Sequence, residues 1–406
     1  MKIRTSGLVL ALILSAAACG GSSNGARPGG ESAATAAPAT TVATTAPAAT
    51  ARPSDTEPAA ATTAPAATDT SDTTPAPPVT GPDPDVLAAA QSETSLLVYG
   101  NPNDDQFAPL VTAFEAAYPW IDVEALSVGG SETFQRYLNE SAAGTRTADV
   151  IINSDGSRWL DLIAQGQVVD YRDPYLAELP DYVDLAPGVA AMSFDPVIAM
   201  FNTAILPLDD QPASLADLAA MAGDLSGRIT TYDIESSLGY AANWAFIQAH
   251  GDDGWALLDQ LGPATTPEDS AGTMASKLSQ GEYAVAFFMS GAARALVQGD
   301  AAAQVLNWSY LADATPMVPR GVGITAAAQS PNAAKLFVNF LLSQAGQQAG
   351  CEGGFTPYRD DVDCEFSMSA VEEAVGADNV IIGSYDQEMV DGRDAFVERW
   401  NEAYGR

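Results

Sequence analysis

Polar residues suited to holding a small solute stand directly after short apolar runs. The run 96–98 leads into the polar stretch 100–105, the run 121–126 leads into Gly129, Gly130 and Ser131, and the run 148–153 (ADVIIN) leads into Ser154, Asp155, Gly156 and Ser157. Hydroxyl, amide and carboxylate groups in such places are hydrogen-bonding equipment, and a helix that starts there adds free backbone N–H groups. At the carboxyl edge of an open α/β sheet that combination binds ligands. Equipment for breaking bonds is missing: the chain has 1 His, no Gly-x-Ser-x-Gly and no His-rich metal constellation. That residue, His250, precedes Gly251 at a helix end and suits a partner for the helix dipole better than a catalyst.

The elements that must place these groups follow from periodicity. Residues 95–137 read as strand, loop, helix, strand, loop and the start of a second helix, which is how an open α/β sheet begins. Phe107, Leu110, Val111 and Phe114 fall on one helical face, and Ser131 stands where a helix N-cap belongs. A helix over 132–143, a third buried strand over 148–153 and a short helix at 159–163, stopped at Gly166, come next. Residues 168–195, with Pro174, Pro180 and Pro187, read as an irregular stretch across the surface before 197–201 (VIAMF) return to strand. A second α/β unit spans about 215–320, with strands at 228–232, 283–289 and 304–306 and helices at 239–250, 254–261, 270–279 and 291–298. A strand over 321–326, an amphipathic helix over 331–343 opening on Pro331, and a closing helix over 391–404 complete the chain. Phe396, Val397 and Trp400 share a face of that last helix.

The N-terminus supplies an address. Lys2 and Arg4 precede the apolar run 8–14, and Ala16, Ala17, Ala18 and Cys19 follow, which is a secretory signal too short to span a membrane. With Gly20 and Gly21 behind it, Cys19 resembles the lipobox cysteine of bacterial lipoproteins, implying cleavage before Cys19 and acylation of its thiol; an ordinary export signal that happens to hold a Cys is the alternative. Residues 20–84 are mostly Ala, Thr, Pro, Ser and Gly, a tether with almost nothing to bury. Fully stretched, roughly 65 such residues reach about 200 Å. Of the 3 Cys, Cys351 and Cys364 remain. In an exported domain they are expected to pair, closing a loop worth roughly 3 kcal/mol; a metal site is the alternative, and CEGGFTPYRDDVDC offers few ligands for one. The formal charge is −35, and beyond the leader Lys occurs only at Lys277 and Lys335. With no basic stripe to neutralise phosphates, nucleic acid is excluded as a partner, and the acidity speaks first to solubility.

Five phrases, LLVYGNPNDDQFAPLVTAFEAAYPWIDVE, ADVIINSDGSRWLDLIAQGQV, MFNTAILP, LSQGEYAVAFFM and SPNAAKLFVNFLLSQAGQQ, occur in that order over about residues 92–350. Together they resemble the solute-binding proteins of ABC importers, in the type II group that includes ferric-ion, thiamine, polyamine, phosphonate and sugar-phosphate binders. The resemblance implies an α/β fold of the two-lobed type II periplasmic-binding-protein kind, each lobe a mixed sheet flanked by helices, with the ligand cleft between the lobes. It also implies closure on the solute and delivery to a membrane permease by a monomer with no cofactor and no catalysis. On that pattern residues 1–18 are signal peptide, 19–90 lipidated Cys and tether, 91–198 the first part of lobe 1, 199–320 lobe 2, and 321–406 the return to lobe 1 with the C-terminal helices. The protein is then held by lipid at the outer face of the cytoplasmic membrane.

The same resemblance points to Tyr99, Asn101, Asn103, Ser131, Ser154, Asp155, Ser236, Ser237, Ser290, Arg294 and Arg320 as ligand-binding residues. Ferric binders of the group use a first-loop His or carboxylate, a carboxylate after the third strand, and paired tyrosines. Here those places match Asn103, Asp155, and Gly291 with Ala292, which leaves a hard cation under-coordinated unless Tyr99, Tyr240 or Tyr310 substitutes; no metal ligand is assigned. Helix starts at Ser131, at Ser236 and Ser237, and at Ser290, facing one cleft, favour an oxyanion with Arg294 or Arg320 as a charged clamp. The favoured solute is a small organic anion such as a phosphorylated or phosphonate compound. Ferric iron is one alternative, and a polyamine or thiamine stacked on Trp244, Trp308 and Tyr310 and paired with Asp155 is another. A surface receptor presenting its ligand to a signalling partner is the reading from a different class. Structurally, the serines serve equally as plain N-caps, Arg294 as an outer-face residue and Trp244 as core.

Overall fold

A computed structural model describes residues 81–298 and 305–406. The export leader, Cys19, the tether up to residue 80 and the start of the strand expected at 304–306 lie outside the described residues. In chain order the elements are α1 (Pro84–Ala90), β1 (Ser95–Gly100), α2 (Asp104–Ala117), β2 (Asp122–Ser127), α3 (Gly130–Ala142), β3 (Val150–Asn153), α4 (Gly156–Ala164), β4 (Asp184–Ala186) and β5 (Val189–Asn202). They continue with α5 (Leu215–Met221), β6 (Ile229–Tyr232), α6 (Ser237–Leu261), β7 (Thr265–Glu268), α7 (Ala271–Ser279), β8 (Val285–Ser290), β9 (Leu306–Ser309) and β10 (Thr315–Ile324). The chain ends with α8 (Pro331–Leu342), α9 (Gln344–Glu352), α10 (Met368–Val375), β11 (Val380–Ile382), α11 (Gln387–Asp391) and α12 (Arg393–Ala403).

Two strands hold the two halves of the sheet together. The path runs β2-β1-β3-β10-β5-β8-β6-β7, with β1 parallel to both β2 and β3, and β10 antiparallel to both β3 and β5. The first part of β5 pairs with β10 over Val189 to Pro196, and its second part pairs with β8 and β9 from Val197 to Asn202. This 14-residue strand therefore passes from one lobe to the other, almost wholly buried. Residues 189–195 are thus no surface loop, which corrects the reading of 168–195 as irregular throughout. Proline misled that reading: Pro187 precedes the strand, and Pro196 sits at its switch between partners, where a missing N–H costs no ladder bond. Strand β10 likewise starts at Thr315 rather than 321, because Pro316 and Pro319 interrupt the apolar run.

Each lobe has its own core. In the first, Phe107, Leu110 and Phe114 of α2 are buried, with Val111 half-buried, and the Phe114 ring meets Phe337 of α8 edge-on at 4.9 Å. Asn103 and Gln106 cap α2 reciprocally, which sets where that helix starts. In the second, α6 packs Trp244 and Tyr240 against Phe396 of α12, while Leu261 and Phe246 complete the cluster. The two helices expected at 239–250 and 254–261 are one run, bent at Gly251 with φ 55°, and His250 closes its first part. Helix α3 begins two residues earlier than expected, with Gly129 at its N-cap and no side-chain cap, so Ser131 lies inside the first turn instead of capping it. Residues Gly291–Gln298 form a 3-10 rather than an α-helix. Gly321 and Gly323 of β10 let the Trp159 indole lie on the strand, since a Cβ at either would come within 2.7 Å and 2.9 Å of its ring atoms.

Candidate ligand cleft

A cavity of about 230 Å³ opens where the crossing strands meet the ends of both halves of the sheet. Its walls hold Asn101 after β1, Gln106 of α2, Ser154 after β3, Asp195 and Pro196 of β5, Tyr232 ending β6, Ser237 and Leu238 opening α6, Ser290 ending β8, and Val318 and Arg320 of β10. Four helix starts therefore converge on it, those of α2, α4, α6 and the 3-10 segment at Gly291.

One hydrogen-bonded chain crosses this cavity. Arg320 donates Nε and Nη2 to Asp195 Oδ2 at 3.0 and 2.6 Å and Nη1 to Asn101 Oδ1, and Asn101 Nδ2 donates to Ser154 Oγ at 3.0 Å. The arginine projects here because the β10–β5 register shifts between Arg320 and Gly321; the freed Gly321 N–H is taken by the buried Tyr385 hydroxyl at 3.2 Å. At the other wall a register shift in the β5–β8 pairing brings Phe288 to φ 52°, two residues before Ser290. Backbone strain of this kind, held by surrounding packing, accumulates at functional sites. Burial pushes the Tyr232 phenol up to about 12, so at neutral pH it is a protonated hydroxyl and not a phenolate.

The lobes touch at the cleft edge. Ser237 Oγ donates to Asp155 Oδ2 at 2.8 Å, while Asp155 Oδ1 accepts the Arg158 N–H and so caps α4. A Cβ on Gly130 would stand 3.2 Å from Ser237 Oγ, so the turn before α3 rests against the start of α6.

The residues expected at the ligand divide accordingly. Asn101, Ser154, Ser237, Ser290 and Arg320 line the cavity, and Asp155 contacts Ser237 at its edge. Asn103 and Arg294 line a second cavity of about 430 Å³, which shares Gln106 and Ala292 with the first. Tyr99 lines neither cavity: its side chain leaves β1 toward α3, where the hydroxyl donates to Glu140 at 2.9 Å under the Arg136 guanidinium. Ser131 is exposed and lines neither cavity, and Ser236 is occupied in capping α6 through the Gly239 N–H. Trp244 belongs to the second core, Tyr240 donates to the Met389 carbonyl at 2.6 Å, and Trp308 packs on Tyr310 at 5.2 Å and on Phe366 at 6.2 Å, behind the wall of the second cavity and lining neither. Sequence reading missed Gln106, Asp195, Tyr232 and Val318. Gln106 carried a signal, three residues after Asn103 in a capping box; Asp195 carried none, since its stretch did not read as strand.

Arg294 is not on an outer face. It is 4% exposed, its guanidinium lies 3.9 Å from the Phe366 ring, and it donates to the Gly291 and Gly354 carbonyls at 3.1 and 3.4 Å. Burial pushes its pKa down, and among the described residues no carboxylate forms an ion pair with it.

Two sheet-built lobes, strands that pass between them and a polar cleft at the crossing define a type II periplasmic binding protein. The profile of the bacterial extracellular solute-binding proteins matches residues 109–374, and the chain belongs to that family, as the ordered phrases of the sequence implied. It is a family of binding proteins, not a class of enzymes. No curated protein matches the chain in sequence. Among solved structures, the fold is shared with the substrate-binding protein of an ABC transporter from Agrobacterium tumefaciens, 22% identical, with a TM-score of 0.66 over 78% of this chain and 97% of that one. The periplasmic binding protein AfuA from Actinobacillus pleuropneumoniae, solved with exogenous fructose-6-phosphate bound, is 21% identical, with a TM-score of 0.61 over 77% of this chain and 98% of that one. Iron-bound HitA from Pseudomonas aeruginosa is 18% identical, with a TM-score of 0.59 over 74% and 99%.

Proposed function

We propose that this protein is the extracellular solute-binding component of an ABC importer, that it captures a small organic anion of the phosphorylated or phosphonate kind, and that it hands the solute to a permease unchanged. The observation that carries the anion reading is the convergence of helix starts on a cavity that also holds Arg320. Ser237 and Leu238 open the 25-residue α6, Ser290 and Ala292 flank the 3-10 start, and Ser154 precedes α4, all around one cavity. Each start leaves free N–H groups and a partial positive charge at the cavity wall, and the Ser154 and Ser290 hydroxyls add donors that a phosphoryl or phosphonate oxygen accepts, the Ser237 hydroxyl already donating to Asp155. The cavity's one carboxylate, Asp195, is already engaged by Arg320, and its phenol is protonated, so the free groups are mostly neutral donors.

Binding would draw the lobes together about β5 and β10, with Ser237 and Asp155 meeting as they close. Cys19 serves as the lipid anchor of an exported, monomeric protein, and the tether holds the lobes clear of the membrane. A thermal-shift screen of sugar phosphates, phosphonates, polyamines, thiamine and ferric ion tests the solute class. A true ligand at a hundred times its Kd stabilises by about 2.7 kcal/mol. Stabilisation by phosphorylated or phosphonate compounds is the expected result; stabilisation by ferric ion or by the cations alone would overturn the anion reading.

A further inference from the structure

Beside the main cavity lies a second, about 430 Å³, whose walls include Arg294, Asn103, Gln106, Ala292 and Phe366. Gln106 and Ala292 face both spaces, so the two adjoin. The two arginines are in opposite electrostatic situations. Arg320 is neutralised by Asp195 at 2.6 Å. Arg294 is 4% exposed and has only two carbonyl partners for five N–H donors, with no acid paired to it among the described residues. Asp195 and Glu365 act on it only from beyond ion-pair distance, and burial outweighs them; a guanidinium taken out of water with no acid in contact is costly unless something anionic meets it. Asp105 and Glu352 also border this space, but both are exposed, where water and salt screen them, whereas the arginine charge sits in a medium of low dielectric constant.

Size points the same way. Pockets for small organic ligands run from about 300 to 1,000 Å³, and the main cavity alone is smaller than that. On the reading that the main cavity takes an anionic group, we infer that the solute has two acidic ends, one held in the main cavity by the helix starts and Arg320 and the other, a phosphate or carboxylate, held by Arg294 in the adjoining space. Arg294 is then the residue that selects doubly acidic solutes over singly acidic ones.

The test is calorimetric titration of the exported domain with matched pairs: fructose 6-phosphate against fructose 1,6-bisphosphate, and ethylphosphonate against 3-phosphonopropionate. In at least one pair the second acidic group is expected to tighten binding by about tenfold or more, and Arg294→Gln to erase that difference while changing the affinity of the singly acidic member less than about twofold. No gain from the second group in either pair would overturn the inference and leave the anion reading standing. Equal weakening of both members by Arg294→Gln would overturn it too, since an arginine that merely latches Phe366 and the Gly354 carbonyl affects every ligand alike. Failure of all four compounds to bind would sink both readings, and Arg320→Gln, expected to weaken both members of a pair, marks the main cavity independently.

Discussion

Ser237, the first residue of α6, donates its hydroxyl proton to Asp155, the cap of α4, across 2.8 Å between lobes that are otherwise joined by crossing strands. The two residues stand 82 apart in sequence. On the proposed closure, a bond of this kind forms only when the lobes are together, so it adds to the closed state and not to either lobe's core.

Ser237→Ala removes that bond and leaves the Ser236 cap of α6 intact. A hydrogen bond to a charged acceptor contributes about 1.5 kcal/mol or more, so affinity for the solute should fall about tenfold. The melting temperature of the empty protein should stay within about 2 °C of wild type. Titration calorimetry and a thermal melt check both; a large loss of stability in the empty protein would assign Ser237 to folding.

Asp195→Ala leaves Arg320 without its acid in a site where its side chain is 12% exposed. Removing one partner of a largely buried pair costs about 3 kcal/mol. Urea denaturation should report a loss of that order, because both residues lie on the strands that carry the fold between lobes.

Asp173 is 2% exposed and accepts from the Tyr175 N–H, the Tyr171 hydroxyl and Asn339 Nδ2. Burial raises its carboxyl pKa above the ordinary value, against those three hydrogen bonds. A carboxyl with a raised folded pKa binds its proton more tightly in the native state, so its ionisation subtracts stability as pH rises from about 4 through the folded value. Asp173→Asn should remove that component: the stability difference between wild type and variant changes across that window and is flat above it. Denaturant midpoints at closely spaced pH values measure it, and a pH-independent difference would count against the assignment.

Cys351 and Cys364 lie at bonding distance and close a segment of 13 residues' separation, beside Phe366 and the second cavity. Replacing both with Ser should lower stability by roughly 3 kcal/mol, and a reducing agent should do the same to wild type but not to the variant.

Cys19→Ser should move the protein from the membrane fraction to the medium with its ligand affinity unchanged. Continued sedimentation with membranes would refute the lipid anchor.

Much of the architecture is local in origin and could be read without coordinates. The spacing of Phe107, Leu110 and Phe114 makes a buried helical face, the apolar run at 150–152 makes a buried strand, and serines mark helix starts at Ser236 and Ser270, because periodicity and capping depend on neighbours a few residues away. Polar strand ends at Asn101, Ser154 and Ser290 were legible for the same reason. What the tertiary structure alone decided is which distant groups meet. Arg320 and Asp195 are 125 residues apart and pair because β10 lies antiparallel to β5, a relation set by the order of strands in the sheet. Tyr99 shows the converse: sequence placed it at the strand end, but the pleat turns its ring to the α3 side, and one residue's difference in register exchanges the faces of a strand. Arg294 was visible as a charge, yet its burial without a paired acid depends on Phe366 and Gly354, 72 and 60 residues further along, being folded back over it.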